Sequence, residues 1–150
     1  MKQDIFDKIM NLPGLRRFYA PYEKHKEVLL YLLFGGITTV VSIGSFVFLE
    51  TGLGMNELIA NMISWVLAVS LAYATNRTWV FGSKAKGSAF FKEMVSFFSG
   101  RVLTLLLEEG ILLVFVTWLA FPGTAVKVAG QIIVLVSNYI ISKLIIFKEK

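Results

Sequence analysis

Residues 101–113, RVLTLLLEEGILL, set Arg101, Glu108 and Glu109 inside a long apolar run. A bilayer core penalises each such charge by about 2.5–3.5 kcal/mol, so charges persist there where they pair or serve a ligand. Arg101 precedes Glu108 by two helical turns, which puts both near one face and roughly 10 Å apart along the axis. Glu109 points about 100° away and needs a different partner. Arg77, Lys127 and Lys143, in neighbouring segments, are the available cations. Two readings fit this set. The charges can form a buried ion network that fixes helix packing. Alternatively they line a polar cavity, with the cations receiving an anion and the glutamates accepting hydrogen bonds or, where burial disfavours the charged form, holding a proton. Arg77 and Lys143 have a further explanation of their own. Each lies only about 6 Å inside a helix end, where a long side chain reaches water unaided.

The elements that must position these residues are apolar. The 150-residue chain is 56% hydrophobic, too much for a soluble domain of this size to bury. Val28 to Leu49, Leu58 to Phe81, Met94 to Phe121 and Thr124 to Phe147 are each long enough to cross a hydrocarbon core about 30 Å thick as a helix. The expected fold is an all-α integral membrane protein in which four transmembrane helices form two helical hairpins. Lys2, Lys8, Arg16, Arg17, Lys24 and Lys26 precede the first segment, Lys84 and Lys86 lie in the middle loop, and Lys148 and Lys150 follow the last. The two hairpin tips, 51–56 and the turn at Pro122–Gly123, carry no Lys or Arg, which predicts cytoplasmic N and C termini. Residues 1–27 then form a cytoplasmic or interfacial segment, and 28–150 the four-helix membrane domain. Within DIFDKIMNLPGL, Ile5, Phe6, Ile9 and Met10 share a helical face, predicting a short interfacial helix. The first apolar run is too long, and starts too late, for a cleaved signal peptide. Gly35, Gly36, Thr38, Thr39, Ser42, Gly44 and Ser45 in the first segment favour close approach of another helix, within the four-helix unit or between protomers. The aromatic belt accounts for Trp65, Trp79 and Trp118.

Several functions are disfavoured. Cysteine is absent and His25 stands alone in a charged stretch, so no metal or cofactor is expected. The formal charge of +5 sits in the flanks of apolar runs rather than on a soluble face, against nucleic-acid binding. Adjacent glutamates on one helix diverge, whereas the carboxylates of a glycoside-cleaving site oppose each other about 5–10 Å apart. With no phosphate-cradling loop either, the chain is not expected to be an enzyme. Small proton-coupled drug exporters keep an acidic residue in the first span, and Val28 to Leu49 has none.

The second and fourth segments end alike, AYATNRTWVF at Phe81 and NYIISKLIIF at Phe147. Aligned on those phenylalanines, Tyr73 meets Tyr139, Asn76 meets Ser142 and Arg77 meets Lys143, while Gly35 and Thr39 match Gly100 and Thr104 at nearly the same offset. This predicts a duplicated hairpin, a plan common among transporters. The run Asn76 to Phe81, the later Asn138, Tyr139, Lys143 and Phe147, and the Phe34–Gly36 triplet together resemble the GtrA-like membrane proteins. The resemblance covers about Lys26 to Phe147 and implies four spans in a bacterial cytoplasmic membrane. It also implies translocation of a polyprenyl-phosphate-linked monosaccharide, such as undecaprenyl phosphate glucose, for cell-surface polysaccharide synthesis. Under it, Arg77, Arg101 and Lys143 are the phosphate-binding candidates and Glu108 and Glu109 those for sugar binding or proton coupling. Asn76, Asn138 and Tyr139 are further polar candidates. Ala72 stands where the family often has an asparagine. The implied partners are the sugar lipid, membrane glycosyltransferases and further copies of the chain. The alternative is a scaffold subunit that holds a glycosyltransferase without transporting.

Overall fold

The computed structural model describes residues 4–147, and the side chains of residues 57–58, 108–109, 112, 116, 123–128 and 131 lie outside the description. All regular structure among the described residues is helical, and the chain divides into two compact units, Met1–Gly82 and Ser83–Lys150. The first holds α1 (Ile5–Met10), a 3₁₀ turn (Arg16–Phe18), α2 (Tyr19–Val47) and α3 (Glu57–Thr75); the second holds α4 (Ser88–Leu112) and α5 (Gly123–Ile141). Helices α2 and α4 start well before the apolar segments at Val28 and Met94. Hydropathy marks where a helix turns apolar, whereas its polar first turns, compatible with helix even at Pro21, extend it outward. The expected boundary after residue 27 therefore falls inside α2.

Two helices among the described residues are long and apolar enough to cross a membrane, Arg16–Gly52 and Ile59–Val80. The most apolar window of the first is only 6% buried within the protein, against 39% for the second. A core helix of a soluble protein would be mostly buried, so side chains such as Val40, Ile43 and Phe48 require an apolar surrounding. In the first unit α2 and α3 pack together, and α3 buries a ladder of small residues, Ala60, Ser64, Ala68 and Ala72, continued by Asn76 in the turn that follows, while α2 buries Leu30, Tyr31 and Phe34. The glycines of α2 do not serve this contact: a Cβ at Gly35, Gly36 or Gly44 would meet nothing within 4 Å. In the second unit Phe97, Gly100 and Thr104 form the buried stripe of α4, and a Cβ at Gly100 would come within 3.2 Å of Ile141.

Each long helix ends in a wide π-helical turn, Phe48–Gly52, Asn76–Val80, Leu113–Trp118 and Ser142–Ile146. The duplication expected from the sequence reappears in these backbone bonds. Leu53 N–H donates to Phe48 and Leu119 N–H to Val114, both at 3.1 Å; Phe81 donates to Asn76 and Phe147 to Ser142, both at 2.8 Å. At the hairpin tips Met55 donates to Leu49 and Phe121 to Phe115 in the same register.

That register also aligns Gly54, with φ of 65°, with Ala120, with φ of 55°. Only glycine adopts this left-handed conformation without a Cβ clash, which costs other residues roughly 1–2 kcal/mol. Replacing Ala120→Gly is expected to stabilise the protein by about 0.5–1 kcal/mol and Gly54→Ala to destabilise it by a similar amount. Unfolding in detergent micelles, followed by circular dichroism, checks both.

Candidate functional site

The sequence-derived polar candidates fall into the two units separately. In the first, Asn76 opens the π-helical turn and is 3% exposed. Its Nδ2 donates to the Ala72 carbonyl at 2.7 Å, but its Oδ1 is buried and accepts no hydrogen bond. A buried amide oxygen without a donor costs about 1–3 kcal/mol, so an incoming hydroxyl or amide would be bound favourably there. Arg77 follows it, half-buried in the same turn. Trp79 stacks on Phe34 with ring centroids 5.4 Å apart and planes 20° from parallel. Trp79 thus forms a packed pair within the unit while staying 38% exposed.

The second unit carries Arg101 and Thr104 on α4, Asn138 and Tyr139 on α5, and Lys143 in the turn that follows α5. Asn138 Oδ1 accepts from the Thr104 hydroxyl at 2.8 Å, and that hydroxyl also lies 3.2 and 3.1 Å from the Gly100 and Arg101 carbonyls. The half-buried Arg101 guanidinium is set 4.7 Å from the centroid of the fully buried Phe97 ring, a cation–π contact that fixes its direction. Lys143 is exposed, donates to the Tyr139 hydroxyl at 3.3 Å and lies 5.5 Å from that ring's centroid. Glu108, Glu109 and Lys127 belong to helices whose backbone is described, and their side chains lie outside the described residues.

Sequence reasoning missed a cluster at the start of the first unit. The short helix α1 forms as expected, capped by Asp4 Oδ1, which accepts from the Phe6 and Asp7 amides, while Asp7 Oδ2 accepts from the Asp4 amide. Its apolar residues do not act as one face: Phe6 turns inward, while Ile5 and Ile9 are 59% and 45% exposed. The reason is Asp7, which is buried and bound through both oxygens, at 2.7 and 2.8 Å, by Lys26, an ammonium that Asp4 also meets at 2.7 Å. Burial pushes the Asp7 carboxyl up, but the Lys26 ammonium and the Asp4 amide outweigh it and hold the group below the usual carboxylate range. Burial likewise lowers Lys26, and its two carboxylate partners more than reverse this. Desolvation beside that cluster raises the Tyr22 phenol to about 12. The D-x-x-D capping pattern at residues 4–7 was the available signal; the partner 19 residues on was not. Also missed was Glu93, a buried carboxylate that accepts from the Ser83 hydroxyl. Among the described residues no three of His, Asp and Glu are grouped to hold a metal.

Apolar helices exposed along much of their length, with polar groups buried only in narrow stripes, define an all-helical membrane protein. The chain belongs to the GtrA/DPMS transmembrane domain family, whose model matches residues 30–147. It is 38% identical over 127 residues to the cell wall teichoic acid glycosylation protein GtcA of Listeria monocytogenes serovar 1/2a, covering 83% of this chain and 86% of that one. The GtcA of Listeria innocua serovar 6a is 36% identical over the same shares. The uncharacterized membrane protein YwcD of Bacillus subtilis is 33% identical over 121 residues, 80% of this chain and 95% of that one. No solved structure matches the chain.

Two outcomes follow from this geometry. Thr104→Val removes the one donor that Asn138 Oδ1 receives from α4 and is expected to cost about 1 kcal/mol in detergent unfolding, with little effect of the isosteric shape change itself. The Asp7 contribution, with its depressed carboxyl, is present above about pH 4 and is lost as pH falls through the folded value. The Lys26 contribution, with its raised ammonium, is present below about pH 10.4 and is lost as pH rises through the folded value. Docking of α1 should therefore be flat from about pH 5 to 9 and weaken outside that window. Emission of Trp79, isolated by Trp65→Phe and Trp118→Phe, reports it.

Proposed function

We propose that the protein translocates a polyprenyl-phosphate-linked monosaccharide across the bacterial cytoplasmic membrane for glycosylation of a cell-wall polymer. The observation that carries this reading is repeated chemistry: the wide terminal turn of each hairpin pairs a cation with a buried polar residue, Arg77 beside Asn76 and Lys143 beside Ser142. Similarity over most of the chain to proteins named for teichoic acid glycosylation supports the substrate class.

In this reading all four long helices cross the membrane, both termini are cytoplasmic, residues 1–27 form the interfacial segment and 28–150 the membrane domain. Arg77, Arg101 and Lys143 bind phosphate oxygens, Arg101 with its fork pre-aimed by Phe97. Asn76, Asn138 and Tyr139, with Glu108 and Glu109, exchange hydrogen bonds with sugar hydroxyls, and a glutamate that takes up a proton on burial couples the movement to pH. The isoprenoid tail stays in lipid throughout, which leaves only the headgroup to be desolvated. The protein is a carrier rather than a catalyst, works with membrane glycosyltransferases that load or unload the lipid, and assembles as a homo-oligomer.

The test is translocation of undecaprenyl phosphate glucose in proteoliposomes. Arg101→Ala and Glu108→Gln proteins that assemble normally are expected to lose at least about tenfold in rate, equivalent to about 1.4 kcal/mol. Lipid movement that is equal with and without the wild-type protein, across several sugars, overturns the carrier and favours a scaffold subunit, for which the same substitutions would disturb assembly instead.

A further inference from the structure

Helix α1 is held to the first unit from two adjacent residues. Asp7 lies on the Lys26 ammonium. Phe6 sets its ring edge-on against both members of the stacked pair, 5.6 Å from Phe34 and 6.4 Å from Trp79, at 89° and 87°. Asp4, its N-cap, adds an ion pair to the same ammonium at 2.7 Å. The helix's own Ile5 and Ile9 are exposed, and residues 11–18, which tether it to α2, are exposed throughout.

The charges are also out of balance for a purely structural tie. Two carboxylates, Asp4 and Asp7, share one ammonium, so the cluster keeps a surplus negative charge in a half-buried setting. Repulsion between the carboxylates makes their hold on Lys26 exchangeable for another anion. Behind the ring contact, Asn76 lies in the same wide turn as Trp79 and keeps its buried acceptor unfilled. An ammonium, a stacked aromatic pair and an orphan amide oxygen are the complement of an anion joined to a hydroxyl-bearing ring.

We propose that α1 is a built-in occupant of a binding site for a phosphate-linked sugar: Asp7 takes the place of the phosphate on Lys26, Phe6 takes the place of the sugar ring on Phe34 and Trp79, and the ligand displaces α1 when it binds. The proposal rests on the sugar-lipid reading above and adds Lys26, Phe34 and Trp79 to its site.

The experiment uses the full chain with Trp79 as its sole tryptophan, titrated with short-chain polyprenyl phosphate glucose, with inorganic phosphate and phosphatidylglycerol vesicles as separate arms. Phe6→Ala and Asp7→Asn remove the occupant and leave the site, so each should bind the sugar lipid about tenfold tighter, as when a site closed nine times in ten is opened. Lys26→Gln should free α1, seen as greater acrylamide quenching of Trp79, yet bind the sugar lipid more weakly. A merely structural strap predicts the opposite for the first two variants, and equal or weaker binding by them overturns the proposal. Asp4→Asn, which loses one ion pair to Lys26 but keeps Asp7 on it, is the milder variant should Phe6→Ala misfold, and it should loosen α1 and bind the sugar lipid more tightly than the wild type. Release of α1 by inorganic phosphate or phosphatidylglycerol as readily as by the sugar lipid overturns the ring half of the match. Failure of every form, wild type included, to bind the sugar lipid overturns the carrier reading itself, whereas binding by wild type with no gain in the variants overturns only the occupant.

Discussion

The carbonyls that end an α-helix must find donors beyond the helix ladder, and this constraint shapes the ends of every long helix among the described residues. The last carbonyls of an α-helix are ordinarily left for solvent or a cap. Here each long helix widens in its final turn, so that carbonyls at Phe48, Asn76, Val114 and Ser142 meet the amide five residues on. The widening also re-aims the side chains it carries. Asn76, Arg77 and Trp79, and in the second hairpin Ser142 and Lys143, stand where they do because the backbone closed its own bonds there.

Packing within each hairpin follows from a second constraint. Lipid offers no hydrophobic gain for bringing helices together, so close approach and dispersion contacts must do it. The α3 ladder of Ala60, Ser64, Ala68 and Ala72 supplies that approach in the first unit, and Gly100 against Ile141 supplies it in the second. The glycine-rich face of α2 is left open by this arrangement, its Gly35, Gly36 and Gly44 Cβ positions meeting nothing. Small residues on a membrane helix therefore mark where approach is permitted, and the partner decides which of them are used.

This explains how far the sequence could be read. Apolar length located the four long helices, and the matched ends at Phe81 and Phe147 located the duplication, because both are properties of composition along one chain. The wide turns were not legible: no residue type encodes them, and they arise from carbonyl satisfaction at the helix end. Nor was the docking of α1. Periodicity placed Ile5, Phe6, Ile9 and Met10 together, yet the ion pair from Asp7 to Lys26 rotates Phe6 inward and leaves Ile5 and Ile9 outside. An interaction 19 residues away in sequence leaves no periodic trace. The polar candidates Asn76, Asn138, Tyr139, Arg77, Arg101 and Lys143 could be named from residue type and position, but their partners, Ala72, Thr104 and Phe97 among them, depend on helix rotation.

The two hairpins share a backbone and differ in how they settle one amide. The second places Asn138 where the first has Ala72, and Asn138 Oδ1 is satisfied internally by Thr104. In the first, Thr39, the counterpart of Thr104, is exposed and donates its hydroxyl to Gly35 of its own helix, as Thr104 does to Gly100. The first hairpin's amide sits one turn later, at Asn76, and its oxygen is left without a donor. A buried acceptor of that kind is retained against a cost of about 1–3 kcal/mol. Unequal satisfaction of two equal backbones thus leaves the first hairpin a buried acceptor without a donor and gives the second an internal hydrogen bond between its helices.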